Sequence, residues 1–196
     1  MKAAIYAEWA PLLLTTNLDD AVEKLDVAVR FASTEPQILP AAKRNLAVAL
    51  FRRGWRNIKA GKDADAVADL ERATREPALL KGTEPLAFEF SYALALLEKG
   101  STDEAGKIFK SLAAKGNQSS YLKAPYSKVC TQFFGAYSDY RTNNAAQRAK
   151  AAATFTSLLG SATGPFGNKV KELIASSYEY VAYDNWKNGR GGAAAK

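Results

Sequence analysis

The chain has 196 residues, of which 47% are hydrophobic and 24% are charged, and its net charge at pH 7 is +7. This composition is ordinary for a soluble globular protein and excludes a disordered chain. No stretch approaches the roughly 18 apolar residues that a membrane helix needs. We therefore expect a soluble protein without a membrane span, and the sequence does not choose between the cytoplasm and the periplasm.

The inventory of reactive residues argues against catalysis. The chain has no histidine, which removes the commonest general base and the commonest metal ligand. Cys130 is the one cysteine, so an intrachain disulfide is impossible and a zinc site has too few ligands. We find no catalytic, cofactor-binding or metal-binding constellation and expect no enzyme. Because Cys130 lies among Val129, Phe133 and Phe134, a buried apolar role is favoured over a reactive thiol.

The pattern of apolar residues predicts an all-α fold. Apolar positions recur at spacings of three and four, as at Val67, Leu70 and Ala73, which is typical of amphipathic helices. Short stretches rich in glycine, proline and asparagine interrupt the pattern. The predicted helical segments lie at about 2–15, 19–33, 40–60, 63–76, 84–99, 102–114, 124–142, 145–159 and 167–188.

An internal repeat is the strongest signal in the chain. Four stretches open with a small residue followed by a large one, carry another large residue three positions later, and end at Gly or Asn. They are Gly54–Gly61, Ala93–Gly100, Ala136–Asn143 and Ala182–Gly189. Small residues let two helices approach closely, and the terminal glycine turns the chain back toward a second helix. Since one pair of helices does not bury its apolar face alone, the pairs are expected to stack.

The residues at these intervals carry a resemblance to a known family. The series Gly54, Gly61, Ala66, Leu70, Ala73 and Pro77 resembles the tetratricopeptide repeat, and Ala93, Gly100, Ala105 and Phe109 repeat part of it. The resemblance implies an α-solenoid of antiparallel helical hairpins. The repeats are elongated, because Ala66 and Ala105 are 39 residues apart instead of the roughly 34 of a regular repeat.

The repeat pattern predicts a single TPR-like domain over residues 1–196, with about four hairpins and the first helix of a fifth. Ala194 falls where a second helix should begin, and the sequence stops at Lys196. We therefore expect a segment cut from a longer repeat protein. Its last helix, at about 167–188, should present Tyr178, Val181 and Trp186 without cover and favour self-association.

Large residues recur at spacings of four and three on the predicted first helices. In tetratricopeptide proteins this face lines a concave groove, so the resemblance implies binding of a partner peptide or helix; the alternative is that these residues pack between repeats as core. Three basic residues follow the last members and favour an acidic partner segment. The groove candidates are Phe51, Trp55, Ile58, Lys59, Phe90, Leu94, Phe133, Tyr137, Tyr140, Arg141, Tyr183, Trp186 and Lys187.

The expected function is a protein–protein interaction scaffold that binds through the groove or an end surface. The alternative is a helical repeat that binds nucleic acid, because basic residues cluster around the predicted segment 40–60 beside Phe51 and Trp55, where they could neutralise and stack a single strand. A solvated helix edge explains the same cluster. Its members are Arg44, Arg52, Arg53, Arg56, Lys59 and Lys62.

Overall fold

The computed structural model describes residues 14, 17–32, 36–82, 84–115 and 126–189. Across these ranges all regular structure is helical, with eight α-helices and no strand, so the predicted all-α class is confirmed. The helices are α1 (Leu18–Ala32), α2 (Leu39–Lys59), α3 (Asp63–Ala73), α4 (Glu84–Lys99), α5 (Thr102–Lys115), α6 (Tyr126–Tyr140), α7 (Ala145–Leu159) and α8 (Gly164–Lys187), with a 3₁₀ turn at Pro77–Leu79.

The helix bounds differ from the predicted ones mainly at glycine and proline. Helix α8 begins at Gly164, three residues before the predicted start, with Pro165 in its first turn, where the missing N–H of proline costs nothing. Helix α3 ends at Ala73, and Pro77 starts the 3₁₀ turn that follows. The predicted segment at 2–15 lies almost entirely outside the described residues.

The chain divides into two compact units, Met1–Ile108 and Phe109–Lys196, and the boundary falls inside α5. In the first unit, α2 packs against α1 and α3, and α3 also packs against α4. In the second unit, α7 packs against α6 and α8. A single repeat domain over residues 1–196 stays a prediction.

The predicted turn glycines are confirmed in the first unit. Gly61 has φ +67° and Gly100 has φ +91°, a left-handed conformation that side chains disfavour. The N–H of Lys62 donates to the carbonyl oxygen of Asn57 at 2.9 Å, and the N–H of Ser101 donates to that of Leu96 at 2.8 Å. These six-residue closures are the hydrogen bonds of a Schellman motif, which ends α2 and α4 sharply.

The predicted close approach of two helices is also confirmed. A Cβ atom added to Gly54 on α2 would lie 2.5 Å from Cγ of Leu70 on α3. Leu70 is fully buried, so its branched side chain occupies the space that a larger residue at position 54 would need. The absent side chain of Gly54 thus sets the distance between α2 and α3.

The core of the second unit is aromatic. The ring of Phe133 on α6 lies 5.7 Å from that of Phe155 on α7 and 5.3 Å from that of Phe166 on α8, measured between centroids. Such tilted and edge-on pairs stabilise a core beyond the area they bury. Cys130, about one turn before Phe133 on α6, is fully buried, which confirms the predicted apolar role.

No helix in the described ranges is both long enough and apolar enough to cross a membrane.

Candidate functional site

The structure buries six of the predicted groove residues. Because each of these residues is less than a tenth exposed and offers little surface to a partner, their burial matches the core alternative rather than the groove. Periodicity placed them on one face of each helix, and that face packs inward. The buried members are Trp55, Ile58, Phe90, Leu94, Phe133 and Tyr137.

The other groove candidates are partly or fully accessible. Phe51 is half-buried, and its ring stacks on that of Phe88 with a centroid distance of 4.3 Å and an interplanar angle of 9°. Tyr140 is half-buried and lies 5.7 Å from the ring of Tyr137. The remaining candidates are exposed and are Lys59, Arg141, Tyr183, Trp186 and Lys187.

Helix α8 extends well beyond the part of it that packs in the core. Among its buried residues, Phe166, Val170, Leu173 and Ser177 recur at spacings of four and three, which is one face of a helix. After Ser177 the helix runs on to Lys187, and none of these later residues is buried. The last turns of α8 therefore project side chains that this unit leaves uncovered.

These last turns carry most of the large apolar surface that is exposed in the described part of the chain. Tyr178 is 54% exposed, Tyr183 57% and Trp186 71%, and Phe31 on α1 is the fourth such residue. The rings of Tyr183 and Trp186 lie 6.0 Å apart. We call Tyr178, Ala182, Tyr183 and Trp186 the α8 aromatic surface. Exposed apolar patches mark sites that contact proteins, membranes or ligands, and aromatic residues are enriched where proteins meet.

Opposite charges flank the α8 aromatic surface. Glu179 and Lys187 are both exposed, and neither forms an ion pair within the described residues. Tyr180, about one turn before Tyr183, is covered by the guanidinium of Arg148, whose Cζ lies 4.0 Å from the ring centroid. The same guanidinium lies 5.0 Å from the ring of Tyr140, so Arg148 joins α6, α7 and α8.

The first unit contains a polar cavity of about 450 Å³ lined by α1, α2 and α3. At its wall, Nε and Nη2 of Arg53 donate to the carboxylate of Asp69 at 2.8 and 2.6 Å, and Asn57 donates to the same carboxylate at 3.1 Å. The hydrogen bond to Asp69 raises the pKa of Arg53. The two nitrogens of Arg56 donate to Asp19 at 3.0 and 2.8 Å and lower the pKa of that carboxyl.

These ion pairs weaken the nucleic-acid alternative. Three members of the predicted basic cluster are neutralised by carboxylates, since Arg44 also pairs with Glu84 at 2.9 Å. Basic and acidic residues are equal in number over the described part of the first unit, while basic residues outnumber acidic ones in that of the second. The arginines around the cavity thus serve to join helices.

The sequence did not predict that Asp19 and Asp69 are the partners of the arginines at this cavity. Asp69 is 5% exposed and lies on α3 between the buried residues Ala66, Leu70 and Ala73. A charge on the apolar face of a helix requires a partner. The position of Asp69 among apolar residues was therefore a sign, visible in the sequence, that it is paired. No group of Cys, Asp or Glu side chains in the described ranges could bind a metal ion.

No protein-family model, curated protein or solved structure matches this chain. The resemblance to tetratricopeptide repeats therefore depends on the motif residues, above all Gly54, Gly61, Ala66 and Leu70.

Proposed function

We propose that this chain is a helical-repeat module for protein–protein interaction, built of TPR-like antiparallel hairpins, and that it binds a partner protein through an end surface on α8. The observation that carries the proposal is the exposure of Tyr178, Tyr183 and Trp186 together on the last turns of one helix. Tyrosine and tryptophan are enriched among the residues that dominate binding energy at protein interfaces.

The hairpin arrangement is supported by the connections of the first unit. Gly61 closes α2 in a left-handed conformation, and α3 begins at Asp63 two residues later. So short a connection favours antiparallel neighbours, and the near contact of Gly54 with Leu70 keeps the two helices together. The turn at Gly100 and Ser101 repeats the same hydrogen bonds, as a repeat protein requires.

The charges at the α8 aromatic surface do not favour an acidic partner. Lys187 lies beside the aromatic residues, but Glu179 is exposed on the same turns, and Asp184 is half-buried there. We therefore replace the acidic partner segment with a partner whose surface is apolar and carries both signs of charge.

Site-specific photo-crosslinking tests the proposal. A benzoylphenylalanine is introduced in place of Trp186 in the full chain, which is expressed in the organism that encodes it. The matched control replaces Lys171, which is exposed and polar on the same helix. We expect covalent protein adducts from position 186 and none from position 171. Absence of adducts at 186, or equal adducts at both positions, would contradict the proposal.

A second measurement determines the contribution of the indole. Once the partner identified by crosslinking has been purified, its affinity for the Trp186→Ala variant should be at least tenfold weaker than for the wild type. Truncating an interface tryptophan costs on the order of 2 kcal/mol or more. The thermal midpoint of the variant should stay within about two degrees, since Trp186 is 71% exposed and surface substitutions rarely change stability.

A further inference from the structure

We infer that the protein bound by the α8 aromatic surface is a second copy of this chain, docked with the two α8 helices antiparallel about a two-fold axis near Tyr183. The inference rests on the proposed function, because it names the partner of the same surface. It depends on the positions of the exposed side chains of α8 and on their charges.

The α8 aromatic surface and its flanking charges form one continuous strip. Glu179, Tyr183 and Lys187 follow one another at a spacing of four, and all three are exposed. Ala182 and Trp186 lie alongside at the same spacing and are also exposed. Residues three and four apart share a helix face, so these five side chains present two adjacent rows to solvent.

The charges of this strip are complementary to themselves in one orientation. Glu179 and Lys187 each lie four residues, about one turn, from Tyr183. A two-fold axis through Tyr183 therefore brings Glu179 against Lys187 of the second copy, and Lys187 against its Glu179, as an isologous interface demands. A parallel alignment would instead oppose like charges at both positions, which costs free energy.

Side-chain size indicates nearly the same symmetry, with its centre one residue further along α8. Ala182 and Trp186 lie on either side of position 184, one residue from the axis that the charges indicate. The small side chain of Ala182 leaves a gap in its row, and the indole of Trp186, which is 71% exposed, fits the gap in the second copy. Two rows with a spacing of four pack at a crossing angle of about −50°, so the contact covers only a few turns.

The expected dimer is weak and reversible. A stable protein interface buries about 1,200–2,000 Å² in total, and the crossing of two helix ends buries less. We therefore expect monomers at low micromolar concentration and dimers as the concentration rises. This behaviour is measured by sedimentation velocity on the full chain over about three decades of concentration.

Charge reversal tests the proposed orientation. Glu179→Lys and Lys187→Glu should each raise the dimer dissociation constant at least tenfold, because each variant opposes like charges in both symmetric contacts. Equimolar mixing of the two variants should restore association, as should the double variant. The matched control is Lys171→Glu, which makes the same charge change on an exposed part of α8 outside the strip and should leave the dissociation constant unchanged. Trp186→Ala should abolish dimerisation, and circular dichroism checks that every variant keeps its helix content.

The outcomes separate this inference from the proposed function. A chain that stays monomeric at all concentrations, while position 186 crosslinks to another protein, overturns the second copy and leaves the protein-binding surface. If Trp186→Ala and both charge reversals leave the dimer dissociation constant unchanged, the dimer interface lies elsewhere, which also overturns the inference. Crosslinked homodimers from position 186, together with rescue on mixing, support both.

Discussion

The indole Nε1 of Trp55 on α2 donates a hydrogen bond of 3.0 Å to Oγ of Ser91 on α4. The hydroxyl of Ser91 in turn donates to the carbonyl oxygen of Ala87 at 2.8 Å. Both side chains are buried, with Trp55 8% exposed and Ser91 fully covered. Because buried polar groups need partners, this pair explains why a serine is tolerated in the apolar face of α4.

Replacing Ser91 by alanine should lower the free energy of unfolding by about 1–3 kcal/mol, because the buried indole loses this acceptor. In the Trp55→Phe background the same change should cost less, since the donor is already gone. Urea denaturation measures the two losses in free energy of unfolding. Ser138→Ala is the control, because the exposed hydroxyl of Ser138 donates to the carbonyl oxygen of Phe134 on its own helix. A loss below 0.5 kcal/mol for Ser91→Ala would show that the bond contributes little.

The carboxylate of Asp69 should be the most sensitive charge in the first unit. Asp69→Asn removes the negative charge that faces Arg53 while keeping the size of the side chain. We expect a loss of about 3 kcal/mol, near the lower end for breaking a buried pair, because Arg53 keeps some exposure. Asp65→Asn, one turn earlier and exposed, should change stability by less than about 0.5 kcal/mol. Equal effects of the two changes would contradict a structural role for the ion pair.

Two glycine-to-alanine changes should have opposite signs. Alanine normally stabilises a helix interior by about 0.5–1 kcal/mol relative to glycine, and Gly135→Ala on α6 should show this gain, because a Cβ there meets nothing within 4 Å. Gly54→Ala should instead lose about 1–2 kcal/mol, since its Cβ would lie 2.5 Å from Leu70. Chemical denaturation of both variants checks the sign, and stabilisation by Gly54→Ala would show that the helices separate at no cost.

Two tyrosines of the predicted groove series should respond differently to truncation. Tyr137 is 2% exposed and Tyr183 is 57% exposed. Tyr137→Ala should therefore lose about 3–5 kcal/mol of unfolding free energy, as truncation of a buried aromatic does. Tyr183→Ala should change stability little and act on association instead. Thermal melts and sedimentation of the two variants, run together, distinguish a core residue from a surface residue.

The buried thiol of Cys130 should make stability depend on alkaline pH. Burial raises the pKa of Cys130 from 9.0 to about 12, so above pH 9 the unfolded chain releases a proton that the folded chain retains. The contribution is complete below pH 9 and is lost as pH rises toward 12, with a slope of up to about 1.4 kcal/mol per pH unit. The stability difference between the wild type and Cys130→Ala should therefore shrink between pH 8.5 and 10.5. A stability difference that stays constant over this pH range would contradict a contribution from the buried thiol.

Local features of the fold could be predicted from the sequence. The helices follow from apolar spacing, and the turns at Gly61 and Gly100 follow from the tolerance of glycine for a left-handed backbone. The close approach at Gly54 and Leu70 was also visible, because a small and a large residue recur at matching places in the repeat. The helices and turns depend on residues that are near in sequence, and the contact between Gly54 and Leu70 depends on a motif that the chain repeats.

The assignment of core and surface could not be predicted, because it depends on which neighbour covers a face. Tyr137 and Tyr183 occupy the same place in the repeated spacing, yet Tyr137 is buried beside the rings of Phe133 and Tyr140, and Tyr183 lies beyond Ser177, the last buried residue of α8. Periodicity gives the angle of a residue around its helix and not the length over which that helix is covered. Periodicity likewise marks Asp69 as a charge on the apolar face of α3, but it does not identify Arg53 as the partner.

The fit of Leu70 against Gly54 has a consequence for how this sequence can diverge. A side chain at position 54 fits this contact best when the residue at position 70 is smaller. Shortening Leu70 alone leaves a buried cavity that costs about 2–5 kcal/mol, and growth at position 54 alone passes through an overpacked intermediate, so either single change destabilises a contact that the two changes together preserve. Diverged forms of this chain should therefore show the two positions changing together, with the total side-chain volume at the α2–α3 contact conserved.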